Sequence, residues 1–134
     1  MGYFSIRMLS KVLKKNPDCS EAYLFREERE NRIIGFALIS YKGAKEIHYR
    51  IKNADAFITA IGVFPEFRGC GYSQSILSCI NNICLKKELH LLRLVVDYDN
   101  NIAIKSYEKF GFKKIGERKF IRVMGIDFLI NINI

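Results

Sequence analysis

The sequence predicts a single α/β domain over residues 1–134, and three observations predict it. An apolar strand, a glycine-bearing loop, a helix and a second apolar strand follow one another between Ala56 and Val96, the order of a parallel crossover unit. Upstream, two apolar runs flank the charged turn at residues 27–31 and read as an antiparallel hairpin. Downstream, a short helical pattern leads into two more strand-like pieces, residues 112–120 and 123–130. The 134 residues, 49% hydrophobic and 27% charged, suffice for one buried core and match a globular composition rather than a disordered one.

In chain order, residues 3–15 put Phe4, Met8, Leu9, Val12 and Leu13 on one helical face, so a helix is expected there. Asn16-Pro17-Asp18 stops it. A short strand over residues 22–25 precedes a longer one over 32–41, whose core run is Ile33, Ile34, Phe36, Ala37, Leu38 and Ile39. Gly35 inside that run marks a bulge or a close backbone contact. Residues 42–53 read as a loop, with a short extended piece where Ile47, Tyr49 and Ile51 alternate. Residues 56–63 form a buried strand. The helix over 72–87 carries Ile76, Leu77, Ile80, Ile83 and Cys84 as its core-facing stripe. The strand over 91–96 is apolar except for Arg93, which suits a central position. Asp97-Tyr98-Asp99-Asn100 is a turn, and the helix after it sets Ala103, Ile104, Tyr107 and Phe110 on one stripe. Asn100 or Asn101 can cap that helix and Gly111 can end it.

Composition narrows the function classes. A net charge of +8 raises a nucleic-acid reading, but the basic residues are scattered, in clusters no longer than Lys14-Lys15, Lys86-Lys87, Lys113-Lys114 and Arg118-Lys119. No basic tract with interleaved aromatics and no helix-turn-helix or RNA-binding signature occurs. A diffuse positive field equally favours a polyphosphate ligand. The cysteines Cys19, Cys70, Cys79 and Cys84 form no C-x-x-C pair, and His48 and His90 stand at no usual ligand spacing, so no metal is expected. No apolar run is long enough for a membrane span, and residues 1–15 lack the continuous apolar stretch of a secretory signal. The expectation is a cytoplasmic protein with reduced thiols.

The most informative stretch is Ile61-Gly62-Val63-Phe64-Pro65-Glu66-Phe67-Arg68-Gly69-Cys70-Gly71-Tyr72-Ser73. It takes an apolar strand through a proline corner and a glycine loop into a helix. Such a helix entrance leaves backbone N–H groups without intrahelical partners at the positive end of the helix dipole, which makes an anion site. Arg68 adds a full charge beside them.

Two segments together resemble the GNAT-type N-acetyltransferases. Arg68-Gly69-Cys70-Gly71-Tyr72-Ser73 is similar to the family's acyl-CoA motif (Q/R)-x-x-G-x-(G/A), with Ser73 in place of the last small residue. Val96, Asn100, Ala103, Ile104, Tyr107, Gly111 and Phe112 match its second landmark, V-x-x-x-N-x-x-A-I followed by Y-x-x-x-G-F. The resemblance implies a mixed, mostly antiparallel sheet flanked by helices, with a splayed parallel pair at its centre made by residues 56–63 and 91–96. Acetyl-CoA is the implied co-substrate, its pantetheine arm lying in the V as an extra strand. The backbones of Ile61 and Val63 would hold the arm's amides, and Gly62 would permit a bulge or close ligand approach there. The N–H groups of Arg68, Gly69, Cys70, Gly71, Tyr72 and Ser73 would cradle the pyrophosphate. Asn100 would cap its helix and touch the arm, and Tyr107 would be the general acid toward the leaving thiolate.

The implied activity is acetyl transfer from acetyl-CoA to a primary amine by direct attack on the thioester. A catalytically inactive CoA-binding domain of the same fold stays open, as does a basic nucleic-acid-binding domain. Two departures from the family pattern stand out. Residues 56–60 offer no carboxylate near Thr59, where many relatives carry a glutamate, which leaves Asp55, Glu66, Asp97, Asp99 and His48 as candidates for proton removal. The chain before Ala22 also fits only about one helix, so a first strand and a helix of the family pattern are expected to be missing. A second copy of the chain would then cover the open edge in a homodimer.

Overall fold

A computed structural model describes residues 3–8, 20–42, 54–120 and 123–132. Among them, β1 (Tyr3–Met8), β2 (Ser20–Glu27), β3 (Arg32–Tyr41), β4 (Ala56–Val63), β5 (Leu91–Asp97), β6 (Lys113–Phe120) and β7 (Val123–Asn131) form one sheet. The strand order is β1-β2-β3-β4-β5-β7-β6. Only β4 and β5 run parallel; the other neighbours are antiparallel. The helix α1 (Tyr72–Lys86) joins β4 to β5, after a 3-10 turn at Pro65–Phe67, and α2 (Asn101–Phe110) joins β5 to β6. The expected mixed sheet with a central parallel pair is the observed one.

The N-terminal expectation needs correction. Residues 3–8 form a strand, not a helix, and Tyr3 to Met8 pair with Glu27 to Ala22 of β2. The local sequence carries both periods: Phe4, Ile6 and Met8 alternate with Ser5 and Arg7, and a ready partner strand decides for the period of two. The first strand is therefore present, and it is the edge strand on that side of the sheet. The rest of the expected helix, residues 9–15, and the loop over 43–53 lie outside the described residues.

β2 is also longer than the expected 22–25, because its charged ends point inward and find partners. Glu21 is buried against Lys87, Oε1 to Nζ 3.0 Å. Glu27 is buried and accepts the Glu30 N–H at 3.1 and 3.2 Å on its two oxygens, which closes the hairpin turn.

The core lies between the sheet and α1. Ala37, Ile39, Ala56, Ile58, Leu92, Leu94 and Val96 pack with Ile76, Leu77, Ile80 and Cys84. Burial pushes the Cys84 thiol up to about 12, so it behaves as a small apolar side chain. Strand residues between these point to the other face, which carries a buried ion pair. Arg93 Nε donates to Asp127 Oδ1 at 3.3 Å, and Nη2 donates to Oδ2. The break in the β5 pattern at Arg93 is thus a cross-strand link to β7.

Two glycines let β3 and β4 come together. A Cβ on Gly35 would lie 2.5 Å from the Gly62 carbonyl oxygen and 2.7 Å from Ile76 Cδ1. A Cβ on Gly62 would first meet the Phe36 ring, at 2.7 Å. A backbone oxygen cannot step aside as a ring can. Gly35→Ala is expected to cost about 1–3 kcal/mol, as overpacking does, and Gly62→Ala less than half of that. Urea unfolding of the two variants checks the order; equal losses would mean that β4 yields freely.

Candidate active site

The site begins where the parallel pair divides. β4 and β5 are paired at Ala56↔Leu92, Phe57↔Arg93 and Ile58↔Leu94, and not beyond. At the same level β4 carries a bulge against β3, since Leu38 faces Ala60 while Ile39 faces Ile58. Thr59 is the extra residue. Gly62, where the sequence allows a bulge or a close ligand approach, is regularly paired with Phe36 and lines the cleft, and its missing side chain makes room for that ring. A bulge adds twist to its strand, which carries β4 away from β5.

Past the bulge, backbone direction follows from two contacts. Phe64 N donates to Ile34 O at 2.9 Å, and Gly62 O lies against Gly35. Both groups point toward β3, so the alternate peptide groups, those of Ile61 and Val63, point into the gap on the β5 side. A strand flank left open in this way requires partners. One is internal: Arg68 Nε donates to Val63 O at 3.1 Å, which ties the glycine loop back to the end of β4.

The loop is built as the sequence suggests. Gly69 and Gly71 have φ of +79° and +81°, a region that costs other L-residues about 1–2 kcal/mol. Gly71 is the N-cap of α1 and, as a glycine, brings no side-chain cap to it. A helix entrance of this kind presents its N–H groups and dipole toward an anion. Neither glycine has protein atoms within 4 Å of where a Cβ would stand, so the loop is open on that side. Phe67 steadies it, with its ring edge-on to Tyr72 at 6.3 Å and the Arg32 guanidinium over it at 5.0 Å.

α2 forms the opposite wall. Asn100 Oδ1 accepts from Ala103 N at 3.3 Å as the N-cap, and Gly111 ends the helix with φ of +120°. Tyr107 stands on the inner face against Phe112 and Phe128, with centroids 5.8 and 6.3 Å away. Burial raises the pKa of its phenol above the ordinary value of 10.0, so the hydroxyl keeps its proton across the physiological range.

These elements enclose one cleft of about 560 Å³, a size usual for ligand sites. Ile61, Gly62, Val63, Arg68, Gly69, Gly71, Tyr72, Ser73, Asn100 and Tyr107 line it. Cys70, also expected there, does not; it is exposed, with Sγ turned to Arg68 O at 3.8 Å. Phe67, Ile76, Leu77, Ile102, Ala103 and Ser106 line the cleft as well, outside the expected set. Ile102 is 87% exposed at the cleft mouth. Ser106 belongs to a clamp between the helices: Gln74 Nε2 donates to Ser106 O at 2.8 Å, and Ser106 Oγ donates to Ser73 Oγ at 3.1 Å. No periodicity could have exposed that clamp, since both of its anchors are polar and lie off the apolar stripes.

The candidates for proton removal separate. Asp55 Oδ2 accepts from His90 N at 2.8 Å and Leu91 N at 3.0 Å, at the far end of β4 from the cleft. Burial works to raise its pKa, but those two N–H donors and Lys42 outweigh it and hold the carboxyl below its usual range. Asp55 is a cap for β5, and its stabilising effect is lost as pH falls through that lowered pKa. Glu66, Asp97 and Asp99 are exposed, and His48 lies outside the described residues. Among the described residues, no three or more His, Cys, Asp or Glu side chains converge as a metal site, and no helix is long and apolar enough to cross a membrane.

A sheet split at one parallel pair thus stands beside a glycine-bearing helix entrance. The profile of the acetyltransferase (GNAT) family matches residues 3–112, and the chain belongs to that family. A Bacillus subtilis (strain 168) candidate ribosomal protein bS18-alanine N-acetyltransferase is 35% identical over 65 residues. That stretch is 48% of this chain and 43% of the relative, so the match spans less than half the relative's length. Among solved structures, the ribosomal-protein-S18-alanine N-acetyltransferase from Escherichia coli superposes with a TM-score of 0.75 at 14% identity, over 99% of this chain and 96% of that one. The spermidine N-acetyltransferase from Vibrio cholerae, in complex with CoA and spermine, gives 0.72 at 20% identity, over 91% and 72%. These likenesses show the fold.

Proposed function

We propose that the chain moves an acetyl group from acetyl-CoA to a primary amine. The observation that carries this reading is the split between β4 and β5, with the peptide groups of Ile61 and Val63 facing the gap and leading into the Gly69–Gly71 loop. An arm with spaced amides and a pyrophosphate at one end fits that sequence of partners. In this reading Ile61 offers its N–H and C=O to the arm, and Val63 its N–H. The loop and first-turn N–H groups, with Arg68, hold the phosphates, and Asn100 touches the arm beside its cap. The neutral amine attacks the thioester carbonyl, nitrogen–carbon bonding forms the tetrahedral intermediate, and carbon–sulfur cleavage expels the thiolate. Tyr107, protonated by virtue of its burial, gives that sulfur a proton, while the attacking nitrogen sheds one to solvent, from which Tyr107 is reprotonated. Proximity contributes most of the remaining rate. The related proteins act on an alanine of a ribosomal protein or on spermidine, both of which present amines.

Free-thiol release from acetyl-CoA with a panel of amines tests the reading. Acceleration by at least one amine is expected; tight acetyl-CoA binding with no amine accelerating release would leave a cofactor-binding domain. Tyr107→Phe should lower kcat by about 100-fold, the lower range for a general acid, with acetyl-CoA affinity within a factor of two. Because the Tyr107 pKa is raised, the alkaline loss of kcat from its ionisation should fall above pH 10. A kcat unchanged in Tyr107→Phe would remove the acid role.

A further inference from the structure

The two helical walls of the cleft are held to the fold in different ways. α1 buries Tyr72, Ile76, Leu77, Ile80 and Cys84, so packing fixes its place. α2 has no fully buried side chain. Its Ala103, Ile104, Tyr107 and Phe110 reach the core only in part. Apolar contact alone therefore leaves α2 the less firmly held wall, and α2 carries Tyr107.

A polar link supplements that contact. Gln74 Nε2 donates to Ser106 O at 2.8 Å and to Ser106 Oγ at 3.1 Å, and Ser106 Oγ is 3.1 Å from Ser73 Oγ. The Ser106 carbonyl can only accept, which fixes the Gln74 amide with its nitrogen toward α2. The serine pair joins the helices whichever hydroxyl donates. All three residues are half-buried. The link also joins two parts of one site. Ser73, in the first turn of α1, lines the cleft beside the glycine loop, and Tyr107, next to Ser106, lines it from α2. Ser73 is the one departure from the small-residue pattern of the acyl-CoA motif, and its hydroxyl is the group that meets Ser106. Gln74 itself is not among the residues that line the cleft.

We propose that Gln74, through Ser106 and together with Ser73, positions Tyr107 for proton transfer to the leaving sulfur. The proposal rests on the acetyl-transfer reading and on the acid role of Tyr107 within it. Gln74 is a positioning residue: it touches no reacting atom and acts through the helix that carries the phenol. Proton transfer is sensitive to such placement. A donor must come within about 2.6–3.2 Å of the atom it serves, and a misplacement of about 1 Å can cost about a hundredfold in rate. Cofactor binding draws mainly on β4 and the glycine loop, so loss of the link should fall on kcat and not on acetyl-CoA affinity.

Thiol release from saturating acetyl-CoA, with the fastest amine of the panel, is measured for the full chain and its variants. Gln74→Met keeps the length of the side chain and removes its donors. It should lower kcat roughly tenfold, the upper worth of a typical hydrogen bond, with acetyl-CoA Kd nearly unchanged and a cooperative thermal melt. Ser106→Ala, which keeps the bond to its carbonyl, should give part of that loss. The deciding readout is a cycle with Tyr107→Phe. Where the phenol is already gone, Gln74→Met should leave kcat nearly unchanged, because its effect passes through that hydroxyl. An unchanged kcat in a folded Gln74→Met overturns the proposal. So does an equal loss in both backgrounds, which would make the link a support of the fold alone, or a loss that appears in Kd and not in kcat. If Gln74→Met does not fold, the cycle of Ser106→Ala with Tyr107→Phe is judged by the same outcomes. An unchanged kcat in Tyr107→Phe alone, or a panel with no active amine, overturns the reading beneath, and the role of the link falls with it.

Discussion

Replacing Gly71 with glutamate is expected to abolish acetyl-CoA binding in a chain that still folds. No protein atom lies within 4 Å of the new Cβ, so the cost to folding is that of a non-glycine residue at φ of +81°, about 1–2 kcal/mol. The cost to binding is larger. A carboxylate at the N-cap of α1 occupies the end of the helix dipole and faces the ligand's pyrophosphate at a few ångströms. Like charges about 4 Å apart in a partly screened site repel by about 4 kcal/mol, or roughly a thousandfold in Kd. Gly71→Ala carries the same backbone strain without the charge and should bind within about tenfold of wild type. Calorimetric titration of both, beside thermal melts, separates strain from charge. Retained affinity in Gly71→Glu would mean that the phosphates sit elsewhere.

The second large effect is on stability. Arg93 and Asp127 are 7% and 3% exposed and bonded through both guanidinium donors. Asp127→Ala strands a guanidinium inside the sheet face and should cost about 3–5 kcal/mol. Removing both charges, as in Arg93→Met with Asp127→Leu, should recover most of that loss, because the desolvation cost disappears together with the attraction. Urea midpoints for the two single variants and the double variant form the cycle. A loss under about 1 kcal/mol in Asp127→Ala would place the pair in an effectively solvated environment.

How far the sequence could be read depended on whether the deciding contacts were local. The run from Ala56 to Phe112 was legible because each element carries its own signal. Pro65 makes the corner, Gly69 and Gly71 take positive φ, Ile76 and Ile80 stripe α1, and Asn100 and Gly111 bracket α2. Residues 3–8 carry a pattern that fits both periods, and the choice belongs to β2, some twenty residues away. The bulge falls at Thr59, and Gly62 is left to the close approach, for a similar reason. A glycine is a visible local cue, whereas the register of β3 against β4 that singles out Thr59 is not. The Arg93–Asp127 pair and the Gln74–Ser106 clamp join residues more than thirty positions apart, and neither residue in a pair announces its partner. Within the site, the part of the cleft lining that is backbone at the loop and strand end was legible, while the side chains that α1 and α2 add, such as Ile76 and Ser106, were not. Cys70 was the exception: a turn directs its side chain outward, and residue order does not reveal that direction.

We propose that the split strand and the glycine loop make an acyl-CoA site. Calorimetric titration of the full chain with acetyl-CoA tests it most directly. Saturable binding at about one equivalent per chain, with a micromolar Kd that weakens as salt rises, is predicted from the phosphate contacts. No binding at high micromolar acetyl-CoA would contradict it.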